Sequence, residues 1–131
     1  MYNSPNKLHK IALVYLSEIR FGPAYYSLQI DGQVIANRIF GDCFCWSSDS
    51  KYLAVQEWLT TDYGMGPITR VFILEIENKR FVGLKNLDKG FVQDFVFEGS
   101  TFVYKRDVKG IVGEVEVDIG TIDTWEDCLM K

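Results

Sequence analysis

A strand–turn–strand pattern recurs three times along the chain. Ile30, Ile76 and Ile119 each end an apolar stretch just before a turn, so the pattern repeats after 46 and then 43 residues. In the first copy apolar and polar residues alternate up to Ile30, which is the period of a half-buried strand, and Asp31 with Gly32 is a hairpin signal. No segment shows an amphipathic helical period over about three turns. The sequence therefore predicts an all-β protein of roughly ten or eleven strands.

The three copies differ in which of their faces are apolar. In the middle copy the strand Val71–Ile76 is apolar on both faces, as expected for a unit buried between two others. In the last copy one face is apolar and the other carries three carboxylates, Glu114, Glu116 and Asp118. A strand with one charged face belongs at the outside of a molecule. The sequence therefore predicts a middle unit, Phe44–Leu84, between two outer units.

The length of the repeat favours a particular all-β architecture. A period of about 40–50 residues is typical of the four-stranded blades of β-propellers. We expect residues 1–131 to form one all-β domain, with residues 1–8 as a loose N-terminal arm, Gln33–Phe40 as a return strand and Ile122–Trp125 as the last strand. That makes two complete antiparallel blades preceded by part of a third. Because a closed ring needs about four blades, the predicted fold is an open half-propeller.

One segment of the middle unit supports the blade interpretation independently. Trp46–Val55 reads WSSDSKYLAV and resembles the W-S-P-D-G-K-x-L-A pattern of WD40 and TolB propeller repeats. Ser48 stands where Pro is usual in that pattern, and Ser50 stands where Gly is usual. Asp49 is expected to cap backbone amides in the turn between two strands. The resemblance implies blade geometry but no particular chemistry, because propellers carry many functions.

The charge balance bears on the kind of partner. The chain has 14 basic and 18 acidic residues, a net charge of −4, and its pI is near 4.9. Direct binding to nucleic acid is disfavoured, since phosphate contacts need an excess of Lys and Arg. An acidic protein instead suits a basic protein partner.

The chemistry-bearing residues are few. His9 is the single histidine, so neither a Ser-His nor a Cys-His pair has an obvious base, and we expect no catalytic residues. Cys43, Cys45 and Cys128 are interpreted as small buried residues in a reducing compartment, not as metal ligands. No apolar run approaches the ~20 residues that span a bilayer, and the N-terminus lacks a signal-peptide pattern. The expectation is a cytoplasmic protein with no cofactor, no metal and no membrane contact.

Two segments are candidates for binding a partner. The loop Thr60–Pro67 is longer than a hairpin needs, and aromatic residues next to carboxylates in and before it suit an interface with a basic protein. The second candidate is the carboxylate stripe, whose members recur every ~6.6–7 Å along one strand. The alternatives are a solvated loop and a stripe that only prevents stacking on another copy. The candidate partner-binding residues are Glu57, Trp58, Asp62, Tyr63, Met65, Glu114, Glu116 and Asp118.

A short, acidic half-propeller is also similar to one group of immunity proteins from bacterial contact-dependent growth-inhibition systems. The resemblance implies an inhibitor that binds a basic ribonuclease toxin with an RNase A-like fold and covers its active-site cleft. It implies a monomer within the complex, although a homodimer is possible. The alternative is a protein-interaction or scaffold module that completes its propeller by self-association.

Overall fold

The computed structural model describes residues 2–19, 22–62, 64 and 66–130. Within these ranges the chain is all-β, with antiparallel sheets that do not close, and a short 3₁₀ turn spans Ile119–Thr121. The strands are β1 Tyr2–Asn3, β2 Lys10–Glu18, β3 Ala24–Ile30, β4 Gln33–Val34, β5 Ile39–Trp46, β6 Tyr52–Trp58, β7 Ile68–Glu75, β8 Arg80–Gly83, β9 Leu87–Asp88, β10 Phe91–Glu98, β11 Thr101–Val108, β12 Ile111–Asp118 and β13 Glu126–Asp127. The predicted fold class, all-β, is confirmed.

The strands form three layers, and β5 to β8 make up the middle one. The larger sheet runs β1-β2-β3-β5-β6-β7-β8-β13, but β3 meets β5 at a single residue pair, Tyr26 with Phe40. Beyond that pair the β2–β3 hairpin lies over one face of the middle layer. The core between these two layers is built from buried side chains of β2, β3, β6 and β7, with contributions from their neighbours: Ile11, Leu28, Ile30, Ile35, Phe40, Leu53, Val55, Phe72, Leu74, Ile76, Phe81 and Cys128.

The second sheet, β10-β11-β12, covers the opposite face of the middle layer. Alternate residues of β6 and β7 point to this side, among them Ala54, Val71 and Ile73. They pack with Phe95 and Phe102 of the outer sheet. Because successive side chains of a strand point to opposite faces, a strand that is apolar throughout must be covered on both sides. The predicted burial of both faces of the strand Val71–Ile76 is confirmed.

The turns follow the local sequence signals. Asp31 and Gly32 have φ values of 50° and 84°, so both central residues of the first hairpin are left-handed, as a tight two-residue turn requires. Asp49 Oδ1 accepts from the Lys51 amide at 3.0 Å and from the Ser47 hydroxyl at 2.7 Å. These two bonds, the Ser47 bond first, hold the pKa of Asp49 below its usual value. The predicted capping role of Asp49 is confirmed.

Ser50 explains one departure from the propeller-repeat pattern. Its φ is 64°, the left-handed conformation for which the pattern uses Gly. Its side chain is buried, and Oγ accepts from the amide of Asn6 at 3.0 Å. The segment expected as a loose arm is therefore anchored: Ser4 is buried as well, and β1 pairs with the start of β2.

Two predicted strands differ from the observed ones. The predicted return strand Gln33–Phe40 is limited to β4, and β5 already starts at Ile39, before the predicted start of the middle unit at Phe44. The predicted last strand, Ile122–Trp125, does not form. The chain crosses back to the middle layer instead, where β13 pairs with β8 and Met130 bridges to Ile35. The outer sheet consequently has three strands, not four.

Candidate partner-binding surface

Glu57 lies near the end of β6 and is buried, with 3% of its side chain exposed. Its carboxylate accepts from Arg38 Nη1 at 2.8 Å and from Arg70 Nε at 2.6 Å. Gly83 leaves room for this arrangement, since a Cβ there would overlap the Arg70 guanidinium. The Arg38 guanidinium also lies 4.2 Å from the centre of the Phe81 ring. The expectation that Glu57 presents its charge to a partner is therefore wrong.

Trp58 is likewise buried, with 3% of the residue exposed. Its indole N–H donates to Gln56 Oε1 at 3.1 Å, and its ring meets Phe91 edge-on at 5.4 Å. Gln56 Nε2 donates in turn to the Val92 carbonyl at 2.8 Å. These contacts join the middle layer to the outer sheet. Trp58 therefore serves the packing of the two layers, and its expected place in a binding surface is also wrong.

The loop that follows β6 is only partly described. Asp62 is exposed, and its Oδ1 accepts from the Gly64 amide at 2.9 Å. Its own amide donates to Thr60 Oγ1 at 2.9 Å. Tyr63 and Met65, the other expected partner contacts, lie outside the described residues. Of the loop candidates, Asp62 is the one that the structure places on the surface.

A cleft of about 570 Å³ lies between this loop and the turn that leads into β12. Gly66 borders it from the loop, and Asp107 and Lys109 border it from the turn. Lys89 and Phe91 complete the lining. The cleft thus places two lysines between the loop and the carboxylate stripe. The stripe runs from Glu114 away from this cleft to Asp118, which pairs with Thr101 at the far end of the outer sheet. The two candidate segments therefore do not form one acidic surface.

The carboxylate stripe is located as predicted. Glu114, Glu116 and Asp118 are exposed along β12, while Val115 and Val117 between them are half-buried against the core of the outer sheet. Asp118 Oδ1 also accepts from the Gly120 amide at 2.9 Å, which shapes the turn after the strand. Glu114 and Glu116 have no such bond within the chain among the described residues. Their carboxylates are available to a partner's cations.

The stripe belongs to a wider surface, because β11 and β10 lie beside β12. Glu116 is paired with Val103, and Glu114 with Lys105, whose Nζ lies 3.8 Å from Asp94 Oδ2. Val96 pairs with Val103 from the other side and is 45% exposed. We call this surface the acidic face; its carboxylates are Asp94, Glu98, Glu114, Glu116 and Asp118. Apolar side chains at its centre and charges around them match the anatomy of protein–protein interfaces.

Sequence reasoning missed Asp94 and Glu98. Strict alternation in β10 would place Asp94 on the same face as the buried Val92. The strand instead has an irregularity between Gln93 and Val96, and Asp94 has a φ of 55°, so the extra residue turns its carboxylate outward. The position of Glu98 could have been predicted from strand pairing. Glu98 lies opposite Thr101 across a tight hairpin, and Thr101 pairs on its other side with Asp118.

The described part of the chain offers little reactive chemistry. Burial raises the pKa of the Cys43 and Cys45 thiols, which keeps them protonated and unreactive. Within residues 2–19, 22–62, 64 and 66–130, no group of three or more His, Cys, Asp or Glu is arranged to hold a metal ion. Nor does any helix described there have the length and apolarity to cross a bilayer. The feature with most capacity for recognition is the acidic face.

Comparisons of the chain with protein-family models, with curated proteins and with solved structures find no match.

Proposed function

We propose that this protein is an inhibitor of the immunity-protein type, which binds a basic toxin domain and blocks its active-site cleft. The observation that carries the proposal is the acidic face, where five carboxylates surround exposed Val96 and half-buried Val103 on the outermost sheet. A ribonuclease cleft is lined with cations that bind phosphate, and an array of carboxylates can occupy the same positions. Such a protein would work in the cytoplasm, where it meets the incoming toxin.

Electrostatics supports this choice of partner. The chain carries a net charge of −4. Five of its carboxylates lie together on the acidic face, beside the lysine Lys105. Complementary potentials speed diffusional encounter and set orientation more than they raise affinity. Exposed Val96 and half-buried Val103 would then supply the desolvated centre of the contact. Charge attraction would accordingly speed the formation of the complex, and contacts at the apolar centre would stabilise it.

The fold is consistent with an open propeller, and we propose that architecture for this protein. The middle layer, β5 to β8, has the four antiparallel strands of one blade. The outer sheet supplies three strands of a second, and the β2–β3 hairpin with β4 supplies part of another. An unclosed arrangement leaves the outer sheet with one face free for a partner. The alternative, an interaction module completed by self-association, is favoured by a different surface, where Val14, Tyr15 and Leu16 of β2 are exposed.

The direct test is co-expression with the candidate toxin domain encoded beside this protein's gene. The two proteins should co-purify as a one-to-one complex, and ribonuclease activity of the toxin should fall to background at a stoichiometric amount of this protein. Full nuclease activity in the presence of an excess of the folded protein would refute the proposal.

A further inference from the structure

The outer sheet ends at β12, and the place beside that strand is open. The sheet has three strands, β10-β11-β12, whereas the middle layer has the four strands β5 to β8. After β12 the chain turns at Ile119–Thr121 and returns to the middle layer, where β13 pairs with β8. No strand in the described part of the chain pairs with the outer side of β12. The edge of Ile111–Asp118 is therefore free for a strand of another chain.

The backbone groups that face the open side of β12 belong to alternate residues. The Ile119 amide donates to the Ser100 carbonyl at 2.8 Å, so the Ile119 amide points toward β11. The register of β11 with β12 runs through all eight residues of each strand without a shift. Every second residue back from Ile119 therefore also bonds to β11, and the residues between them direct their N–H and C=O groups outward. The outward residues are Val112, Glu114 and Glu116, followed by the last residue of the strand.

The two ends of β12 limit the open segment to residues 112–116. At one end the turn residues Lys109 and Gly110 have φ values of 54° and 84°, which closes a tight two-residue hairpin between β11 and β12. At the other end the Asp118 carbonyl already accepts from the Thr121 hydroxyl at 2.8 Å. Residues 112–116 have no hydrogen bond on their outer side within the described ranges. Their outward N–H and C=O groups are available to a neighbouring strand.

The side chains along this segment indicate which kind of strand fits. Glu114 and Glu116 are exposed on the acidic face, and Val112, which is 52% exposed, lies on the same face because side chains alternate along a strand. Residues directly opposite each other in paired strands interact, so a lysine or arginine opposite each glutamate stabilises the pairing. Antiparallel pairing of residues 112–116 with the same residues of a second copy would place Glu114 opposite Glu114, which is destabilising. Charge therefore favours a basic strand over another copy of this chain.

We propose that the edge of β12 binds a basic strand of the partner as the fourth strand of the outer sheet. The backbone of Val112, Glu114 and Glu116 bonds to the added strand, and cations at every second residue of that strand pair with the two glutamates. In strand addition of this kind, main-chain bonds supply affinity and alternate side chains supply specificity.

The inference rests on the proposed inhibitor function, because it names the element of a basic toxin domain that this protein binds. The added strand lies beside Glu114 and Glu116, at the border of the acidic face. The rest of the toxin domain is thereby placed over that face.

The first test is amide hydrogen exchange of the full chain, followed by NMR, with two probes. One probe is the toxin domain encoded beside this protein's gene, and the other is the synthetic peptide acetyl-(Lys-Val)₃-amide, with acetyl-(Glu-Val)₃-amide as its control. The amides of Val112, Glu114 and Glu116 should exchange at least about tenfold more slowly in the toxin complex than in the free protein, and at least about twofold more slowly with millimolar Lys-Val peptide. The Glu-Val peptide should leave their exchange unchanged. The amides of Val115 and Val117, which bond to β11, should be protected in every sample.

The second test separates backbone pairing from charge. Glu114→Pro and Glu114→Ala both remove the carboxylate, but only proline also removes the outward N–H and places its ring at the edge. Neither change breaks a bond to β11, because the Glu114 amide points outward. Inhibition of the toxin domain's ribonuclease activity should be about tenfold weaker with the proline variant than with the alanine variant. Thermal melting checks that both variants fold, and if the proline variant does not, the exchange pattern of the wild type decides.

The outcomes distinguish this inference from the inhibitor function itself. Unchanged exchange at Val112, Glu114 and Glu116 in an inhibited complex would overturn strand addition and leave the inhibitor function standing, since the toxin would then bind through side chains alone. Equal inhibition by the two folded variants would have the same meaning. Absence of inhibition by the wild type would refute the inhibitor function instead. In that case slower exchange with the Lys-Val peptide alone would support a site for a basic strand, whereas no slowing, or equal slowing with the Glu-Val peptide, would overturn it.

Discussion

Glu57 shows how a residue that suggests binding in the sequence can serve the interior. Two arginines, Arg38 and Arg70, hold its two oxygens, and Arg38 also stacks on Phe81. The three charges come from β6, β7 and the segment before β5, so the cluster ties separate parts of the middle layer together. Removing the carboxylate would leave two partly buried cations without their acceptor.

We expect Glu57→Gln to lower the free energy of unfolding by about 2 kcal/mol, since hydrogen bonds to charged groups contribute about 1.5–3 kcal/mol each and the partly exposed arginines regain some water. Urea denaturation measures this. Glu98→Gln, at an exposed carboxylate, is the control and should change the value by less than about 0.5 kcal/mol. Equal stability of the two variants would show that the buried cluster contributes little.

Ser50 combines a strained backbone with a bond to the N-terminal segment. In Ser50→Gly, relief of a left-handed φ worth roughly 1 kcal/mol should offset loss of the Asn6 bond, so global stability should change little. In Ser50→Ala the strain remains and the bond is lost, so stability should fall by about 1 kcal/mol. Hydrogen exchange at the Asn6 amide should accelerate in both. Unchanged exchange in both variants would contradict the anchoring role of Ser50.

His9 makes part of the stability depend on pH. Nδ1 lies 2.7 Å from Asp31 Oδ2 and Nε2 lies 3.3 Å from Glu77 Oε1, so the ring links two turns of the first two layers. The bond to Asp31, more than that to Glu77, raises the pKa of His9 above 6.5. A raised folded-state pKa stabilises the protein fully below pH 6.5, and this contribution is lost as pH rises through the folded-state pKa.

The corresponding variant is His9→Asn. Its stability should fall below that of the wild type at pH 5.5 and approach it at pH 8.5, as urea denaturation at the two pH values would show. Below pH 5 the titration of Asp31 also affects stability. Burial alone would raise the pKa of Asp31, but its hydrogen bonds to His9 and to the Lys10 amide lower that pKa. That carboxylate's contribution is present above its usual pKa and is lost as pH falls through the lower one. A stability difference independent of pH between 5.5 and 8.5 would contradict this role of His9.

At the scale of elements, the C-terminal segment completes the middle layer. β13 pairs with β8, the Cys128 amide donates to the Lys79 carbonyl at 2.8 Å, and the Cys128 side chain joins the core. Trp125, the residue before β13, stacks on Tyr52, with 5.9 Å between the two ring centres. The segment covers the strand edge that β8 would otherwise expose.

Deletion of residues 126–131 should therefore destabilise the protein by several kcal/mol, on the order of the loss of a buried side chain plus the strand bonds. It should also make the protein prone to aggregate through β8. Leu129→Ala, at an exposed side chain of the same segment, is the control and should be nearly neutral. Thermal melting of the three proteins measures this, and a deletion variant as stable as the control would contradict it.

The features that depend on residues close together in the sequence could be predicted from the sequence. The Asp31–Gly32 hairpin, the Asp49 turn, the two-sided burial of Val71–Ile76 and the exposure of Glu114 to Asp118 all follow from alternation and turn chemistry. The path of residues 122–130 could not be predicted, because it depends on pairing with the edge of β8, whose residues Phe81 and Arg80 lie far earlier in the chain than their partners Glu126 and Asp127. The burial of Glu57 depended in the same way on arginines distant in sequence, since a carboxylate among apolar residues normally indicates exposure.

The whole molecule has two opposite surfaces of different character. The outer sheet presents the acidic face, whereas β2 presents the exposed side chains of Val14, Tyr15 and Leu16. Binding at the acidic face should weaken with salt, since exposed charges are screened over about 10 Å at 0.1 M salt.

Charge reversal on the acidic face is the sharpest test of the proposal that this face inhibits a basic ribonuclease. The measurement is the ribonuclease activity of the cognate toxin domain, titrated with wild-type protein, with the double variant Glu114→Lys/Glu116→Lys and with Asp123→Lys, an exposed acidic residue outside the face. We expect stoichiometric inhibition by the wild type and by Asp123→Lys, and at least about a hundredfold weaker inhibition by the double variant, because two carboxylate contacts of about 1.5 kcal/mol each become repulsive. Inhibition by the folded double variant that equals that of the wild type would contradict it.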